Sequence, residues 1–382
     1  MFRKFFTYPV FLVLYLSFIA AILFGSILRH HYNGGEKFQS LQNIAVTIAE
    51  IPMRARNMIT YRSLNLNTIP SLIKPKDKKR FEQFIENKRN ALLVLPRYVH
   101  SLNRSVVDII DLNNFEVIHT YKHDIAEMNN KVKNIDKFPR MNIDHSPRRF
   151  RYSHPIVLDD GSLISFSKNQ PIFKIDLCSN LKWINDEEKF HHGQSLDHNR
   201  DIWAIAAIYP QSKYVTRYDY DKYLDDAIIK IDIDGNILYK KSLTEILIEN
   251  SVVPESFVFN NYISRQHDPI HLNDIEPAFL DTEYWKKGDL FISIRDQNII
   301  IHFRPQVNKV INVIAGPFAS QHDVDIISDK EISIFNNNNF IKDNEYSEVL
   351  IYNFETKTFK KLFNDQLKKS NFKTITNGLS EI

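Results

Sequence analysis

From about residue 90 onward the chain is a succession of short β-rich runs at roughly 8–14-residue spacing, with few helical interruptions. ALLVLPRY (91–98), SVVDIIDL (105–112) and FEVIHTYK (115–122) open it. DLFISIRD (289–296), NIIIHFRP (298–305), KVINVIAG (309–316), HDVDIIS (322–328), EISIFNN (331–337), SEVLIYNF (347–354) and TFKKLF (358–363) carry it to the C-terminal part. Their β-branched and aromatic side chains suit a pleated, half-buried surface. Asp159-Asp160-Gly161 and Asp234-Gly235-Asn236 separate such runs, and Asp-Gly or Gly-Asn supplies the positive φ of a tight hairpin. The fold class is therefore all-β. A sandwich, a barrel or a propeller fits the spacing. A single sandwich of about 100 residues is too small for the length, whereas blades of about four strands with insertions accommodate it. No exact repeat of the WD40 kind is visible.

The N-terminus obeys different physics. Phe5 to Leu28 contains no charged residue, and its centre reads PVFLVLYLSFIAAILFGSIL (9–28). About 20 apolar residues in a helix cross a hydrocarbon core. A cleaved signal peptide has a shorter apolar region ending at small residues, and no clean A-x-A site follows here. A retained transmembrane anchor over residues 1–29 is expected. Arg3 and Lys4 precede the segment, and Arg29 and Lys37 follow it, so the positive-inside rule gives little contrast. A short basic tail before a first apolar helix usually stays inside, which directs the bulk of the chain to the periplasm or cell exterior.

Residues 30–90 read as a juxtamembrane and linker region. Phe38, Leu41, Ile44, Ile48 and Ile51 recur at helical spacing, predicting a helix over 36–60 that lies against something apolar. Pro52 is expected to interrupt it. Pro70 and Pro75 punctuate a polar linker, and a short helix is expected at Phe81–Asn87. Residues 91–382 form the β domain.

Charge and cysteine usage narrow the function classes. The net charge is +3 and the charges are interspersed. The run KPKDKKR (74–80) reads as a solvated surface, so no nucleic acid is expected as a partner. The lone Cys178 rules out an internal disulfide framework and any multi-cysteine zinc site. No Gly-rich phosphate loop is present, which argues against a nucleotide donor.

Four segments place His or Arg at strand ends or in loops: FHHGQSLDHNRDIWAI (190–205), RQHDPIHLNDIEPA (265–278), DLFISIRDQN (289–298) and GPFASQHDVDII (316–327). His267 and His271 have the i, i+4 spacing of a zinc helix, but Pro269 disfavours a helix there and the zinc-protease Glu is absent. No metal is expected. A single histidine of this kind is most often an ordinary loop or core residue. Four such segments tied to strands point instead to convergence, because strand ends of several blades meet at a central channel. A neutral imidazole is a good nucleophile toward phosphorus or sulfur, a second serves as acid or base, and Arg holds the oxygens of a transferring oxyanion.

At these residues the sequence resembles the membrane-anchored bacterial branch of the arylsulfotransferase family. The resemblance runs through HPIVLDDGSLISF (154–166), IFKIDLCSNLKWINDEEKFHHGQSLDHNRDIWA (172–204), HDPIHLNDIEPA (267–278), YWKKGDLFISIRDQN (284–298) and GPFASQHDVDIISDKEISIFNNN (316–338). It implies a six-bladed β-propeller with the active site in its central channel. It implies transfer of a sulfuryl group from a phenolic sulfate ester to a phenol, with no cofactor. The transiently sulfated histidine falls on His322 of Gln321-His322-Asp323. The H-x-N-D motif supplies His271 and Asn273, and the strand arginine falls on Arg295. The His-His motif gives His191 and His192, of which His192 is expected to face the channel, with His191 as the alternative because adjacent strand residues point oppositely. In related sequences the segment NFKTITNGLSEI leads into a further strand pair, so the closing blade is expected to be missing. The expected partners are a small-molecule aryl sulfate, a phenol and the membrane. The alternative is a non-catalytic membrane-anchored propeller that binds an anionic ligand or scaffolds envelope proteins.

Overall fold

The computed structural model describes residues 7–32, 37–61, 86–138, 141, 147, 150–215, 223–252, 268, 270–339 and 346–380. It divides into two compact units: Met1–Glu82 with Pro139–Arg149, and Gln83–Phe138 with Phe150–Ile382.

In the first unit, α1 (Thr7–Tyr32) carries its one proline, Pro9, in the first turn, where the missing N–H costs nothing. Tyr8–His31 is long and apolar enough to cross a membrane, and none of its apolar window is buried in protein. α2 (Gln39–Tyr61) contains Pro52 and continues past it. The expected interruption does not occur. Proline removes one i→i−4 bond, and the bonds before and after it hold the rest of the helix. Gln42 and Ala45 are buried, and Gln42 Oε1 lies 3.0 Å from His31 Nδ1. Phe38, Leu41, Ile44, Ile48 and Ile51 stay exposed. The linker at 62–80 and the start of the short helix expected at 81–87 lie outside the described residues.

The second unit is mostly β, and all its strand pairs are antiparallel. β1 (Leu92–Val99), β2 (Arg104–Asp111) and β3 (Val117–Tyr121) form one sheet, followed by the short α3 (Ile125–Asn130). β4 (Ser153–Val157), β5 (Leu163–Phe166), β6 (Gln170–Ile175), β7 (Leu181–Leu196), β8 (Ile202–Ala207), β9 (Asp226–Ile231) and β10 (Ile237–Ser242) make a seven-stranded meander, with α4 (Leu243–Glu249) after it. Two four-stranded sheets complete the set: β11 (Leu272–Pro277), β12 (Leu290–Ile294), β13 (Ile299–Arg304), β14 (Lys309–Ala315); and β15 (Val324–Ile326), β16 (Glu331–Asn336), β17 (Glu348–Asn353), β18 (Thr358–Leu362). A final short helix, α5 (Asn364–Lys369), follows. Gly161 and Gly235 hold φ of 75° and 92° at the two Asp-Gly turns, as the hairpins require.

The seven-stranded sheet is two four-stranded units sharing one strand. β7 pairs with β6 mainly over Leu181–Asn185 and with β8 over Lys189–Leu196, with register shifts between. The described residues thus hold five meandering units, the first with three strands. The leading strands β1, β4, β7, β11 and β15 each contact the next. Apolar layers fill the space between consecutive sheets. Ile205, Ile228, Leu272, Ile275, Ile292, Ile301 and Phe303, for example, are buried in one layer joined by Leu243, Ile246 and Leu247 of α4. Each such side chain contributes about 1.5–3 kcal/mol by leaving water.

Candidate active site

The site begins at the interruption in β7. Between the pairings of Phe190 and Gln194 with β8 lie His191, His192 and Gly193. His192 adopts φ 56°, a left-handed conformation that costs a non-glycine residue roughly 1 kcal/mol or more. The strand's alternation is broken there, and the two adjacent imidazoles meet, Nδ1 to Nδ1 at 2.6 Å. Gly193 permits the close approach of β11: a Cβ on it would stand 2.4 Å from Asp274 Oδ1.

His191 is buried, with Nε2 3.2 Å from Asp226 Oδ1. Neither atom has an aligned hydrogen bond among the described residues, so the contact is electrostatic. Asp226 Oδ2 accepts the Leu272 N–H at 2.8 Å, tying β9 to β11. Burial pushes the Asp226 carboxyl up, and the charge of His191 opposes it. The result is a row, Asp226–His191–His192, ending at the half-buried His192 ring.

That ring meets His271, with centroids 4.8 Å apart. His271 immediately precedes β11 and also has a left-handed φ, 52°. Its Nδ1 lies 2.6 Å from Asp268 Oδ2, and its own N–H donates to Asp268 Oδ1 at 3.0 Å. Burial pushes Asp268 up, but the hydrogen bond and charge from His271 outweigh it and hold the carboxyl below its ordinary value. Burial first, then the charges of His191, His271, Lys168 and His322, hold His192 well below the usual imidazole range.

Arg295 follows β12, and its N–H donates to the His271 carbonyl at 3.1 Å. The guanidinium is buried. Nη1 contacts Asp296 at 2.6 Å, while Nε has no partner among the described residues. A buried unpaired donor costs about 1–3 kcal/mol, more for a charged group, unless a ligand satisfies it. Asn273 spends one amide hydrogen on the Gln321 carbonyl at 2.9 Å. Gln321 donates to the carbonyls of Ile294 and Ile299, each at 3.0 Å, so its amide ties the entry of β15 to the β12–β13 turn.

His322 precedes β15. Its main-chain N–H donates to Phe335, and its carbonyl accepts Ser293 Oγ at 3.1 Å. Nδ1 contacts Asn337 Oδ1, and Nε2 accepts the Asn377 N–H at 3.0 Å. Burial lowers His322 to about 4; the hydrogen bond to Asn337 works against the shift, and Arg295 and His271 reinforce it.

His192 and His271 are in ring contact, with His191 behind His192; Arg295 is joined to His271 through the main chain, and His322 lies within electrostatic reach of Arg295, His271 and His192. His267 lies outside the described residues. Asp226, Asp268, Asn337 and Lys168 were not legible as members. Only Asp268 carried a local signal, three residues before His271 in the same turn. Chemically, the arrangement offers neutral imidazoles beside one buried guanidinium, which suits an anionic electrophile.

Residues 154–382 match a family model described as arylsulfotransferase (ASST). No curated protein matches the chain. Among solved structures it is similar to a protein of unknown function from Bacteroides caccae, at 9% identity and TM-score 0.42, covering 71% of this chain and 72% of that one. It is also similar to a streptogramin B lyase, at 11% identity and TM-score 0.35, with 67% and 61% covered. A third is a catalytically inactive virginiamycin B lyase from Staphylococcus aureus with quinupristin, at 12% identity and TM-score 0.36, with 75% and 74% covered.

Proposed function

The chain belongs to the arylsulfotransferase family, and from that premise we propose that it moves a sulfuryl group from a phenolic sulfate ester to a phenol through a sulfo-histidine on His322. The observation that carries the reading is the His192–His271 ring contact within electrostatic reach of His322 and of a buried guanidinium whose Nε has no partner among the described residues.

In the first step the His322 Nε2 lone pair forms a bond to sulfur. The S–O bond to the aryl group breaks, and the phenolate leaves with the electron pair. His271, backed by Asp268, protonates it, with His192 alongside. Arg295 Nε–H and the second amide hydrogen of Asn273 hold the sulfuryl oxygens. A phenol acceptor, deprotonated by the same histidine, then attacks sulfur and frees His322, which gives ping-pong kinetics. The Asn377 N–H yields Nε2 to the incoming donor in each cycle.

The meandering units of residues 91–382 are read as a propeller, six-bladed when closed, with the histidines at its channel. α1 is the single-pass anchor, residues 30–90 join it to the catalytic domain, and that domain faces the periplasm or cell exterior. The test is release of phenol from an aryl sulfate, with transfer to a second phenol, by the membrane-extracted full chain. Unchanged turnover in His322→Ala would sink the assignment.

A further inference from the structure

Which nitrogen of His322 is the nucleophile is written in its three hydrogen-bonding neighbours. A main-chain N–H can only donate, and the Asn377 N–H points at Nε2 at 3.0 Å. Nε2 therefore carries the lone pair, and in a neutral ring the proton sits on Nδ1. Nδ1 contacts the side chain of Asn337 and, at the longer distance of 3.2 Å, the Ser320 carbonyl, which can only accept. The orientation of that amide is fixed independently, because its nitrogen donates to two carbonyls, Asn377 at 2.8 Å and Thr374 at 3.1 Å. The oxygen must then face the imidazole and accept its proton. Asn337 is itself fully buried at the end of β16, so the ring has no solvent route to the other tautomer on that side.

We infer that Asn337 is a positioning residue for sulfuryl transfer: its Oδ1 holds His322 as the Nδ1–H tautomer and aims the Nε2 lone pair at sulfur. The inference rests on the transfer reading for its chemistry and on geometry alone for the tautomer. When the N–S bond forms at Nε2, positive charge spreads over the ring and the Nδ1–H bond to Asn337 strengthens. When the acceptor takes the sulfuryl group, the N–S electron pair returns to Nε2 and the proton has never left Nδ1. An amide suits this role where a carboxylate does not. A carboxylate would favour the imidazolium, which has no lone pair to attack with. The segment that orients Asn337 is built in turn around it. Lys373 Nζ donates to the Asn337 and Asn338 carbonyls at 2.9 Å each. Gly378, at φ 143°, lies so close to Phe335 that a Cβ there would stand 2.1 Å from the ring.

Two variants and one spectrum test it. Nitrogen-15 NMR of the full chain labelled at histidine should show His322 protonated at Nδ1 and bare at Nε2, with no substrate present. Asn337→Leu should lower kcat by about a hundredfold or more with little change in KM, the mark of a wrong tautomer rather than lost binding. Asn337→Asp keeps the acceptor oxygen and the shape, so it tests the role even if the leucine variant fails to fold. It should retain more activity than the leucine variant and shift the acidic limb of kcat/KM upward by about 1–2 pH units. A wild-type spectrum with the proton on Nε2 overturns the inference, as does an Asn337→Asp profile that does not move. A correct spectrum in a protein that releases no phenol would sink the transferase reading alone.

Discussion

The site holds two kinds of histidine. His271 is backed by a carboxylate, Asp268, at 2.6 Å, and stays partly open to solvent. His322 is backed by an amide, Asn337, is almost wholly buried, and is lowered to about 4. A carboxylate lets an imidazole take up and give back a proton, the requirement for acid–base work. An amide orients the ring without stabilising its charged form, the requirement for a nucleophile that must be neutral. On the proposed mechanism, the difference in backing, not in residue type, divides the labour.

The sharpest way to break that division is to remove each ring in turn. His322→Ala should cost roughly 10⁴-fold in kcat with every aryl sulfate. His271→Ala should cost about 10²-fold with a poor leaving group and markedly less with a good one such as 4-nitrophenol, which departs without a proton. Equal losses for both leaving groups in His271→Ala would erase the distinction, and steady-state kinetics on two substrates decides it. Arg295→Ala should come next, at roughly 10²–10³-fold in kcat/KM, because on the proposed mechanism its buried Nε, without a partner among the described residues, donates to the sulfuryl oxygens. Arg295→Lys should recover little of this, since lysine cannot reproduce the fork.

The pH dependence of stability separates the regions without any substrate. His322 is lowered from the ordinary value near 6.5 to about 4 in the folded state, mainly by burial. The unfolded chain therefore binds the proton first. The difference in proton binding makes the contribution of the buried neutral ring complete above about pH 6.5 and lost as pH falls toward 4, about 3 kcal/mol for this group. Denaturant titrations should show that slope, and His322→Gln should make it shallower without removing it, because burial lowers His123, His154 and His192 as well. The smallest effect is expected at Gly193→Ala. The Asp274 carboxylate must shift from a Cβ placed 2.4 Å away, at a cost of about 1–3 kcal/mol and with a loosened His192–His271 pair. Thermal denaturation measures the first and turnover the second.

The strand succession was legible because turn chemistry punctuates it, and both Asp-Gly hairpins sit where the residues put them. β7 was not, because it serves two sheets. Its sequence, LKWINDEEKFHHGQSL, changes face partway and shows neither a clean period of two nor an apolar run. β8, IWAIAA, is buried on both faces and carries no alternation to read. Pro52 misled in the opposite direction, since a single missing bond does not end a helix supported on both sides. In the site, the histidines and Arg295 announced themselves by residue type at strand ends. Asp226 and Asn337 did not, because Asp226 reaches His191 from the strand beyond β8 and Asn337 reaches His322 across the β15–β16 hairpin, contacts that no local spacing announces.

Rapid-quench mass spectrometry of the protein mixed with an aryl sulfate and no acceptor tests the central claim most directly. A single SO₃ adduct is predicted on the peptide bearing His322, formed as fast as phenol appears and discharged on adding a second phenol. Turnover with that peptide unmodified, or with the adduct on His192 or His271 instead, would contradict it.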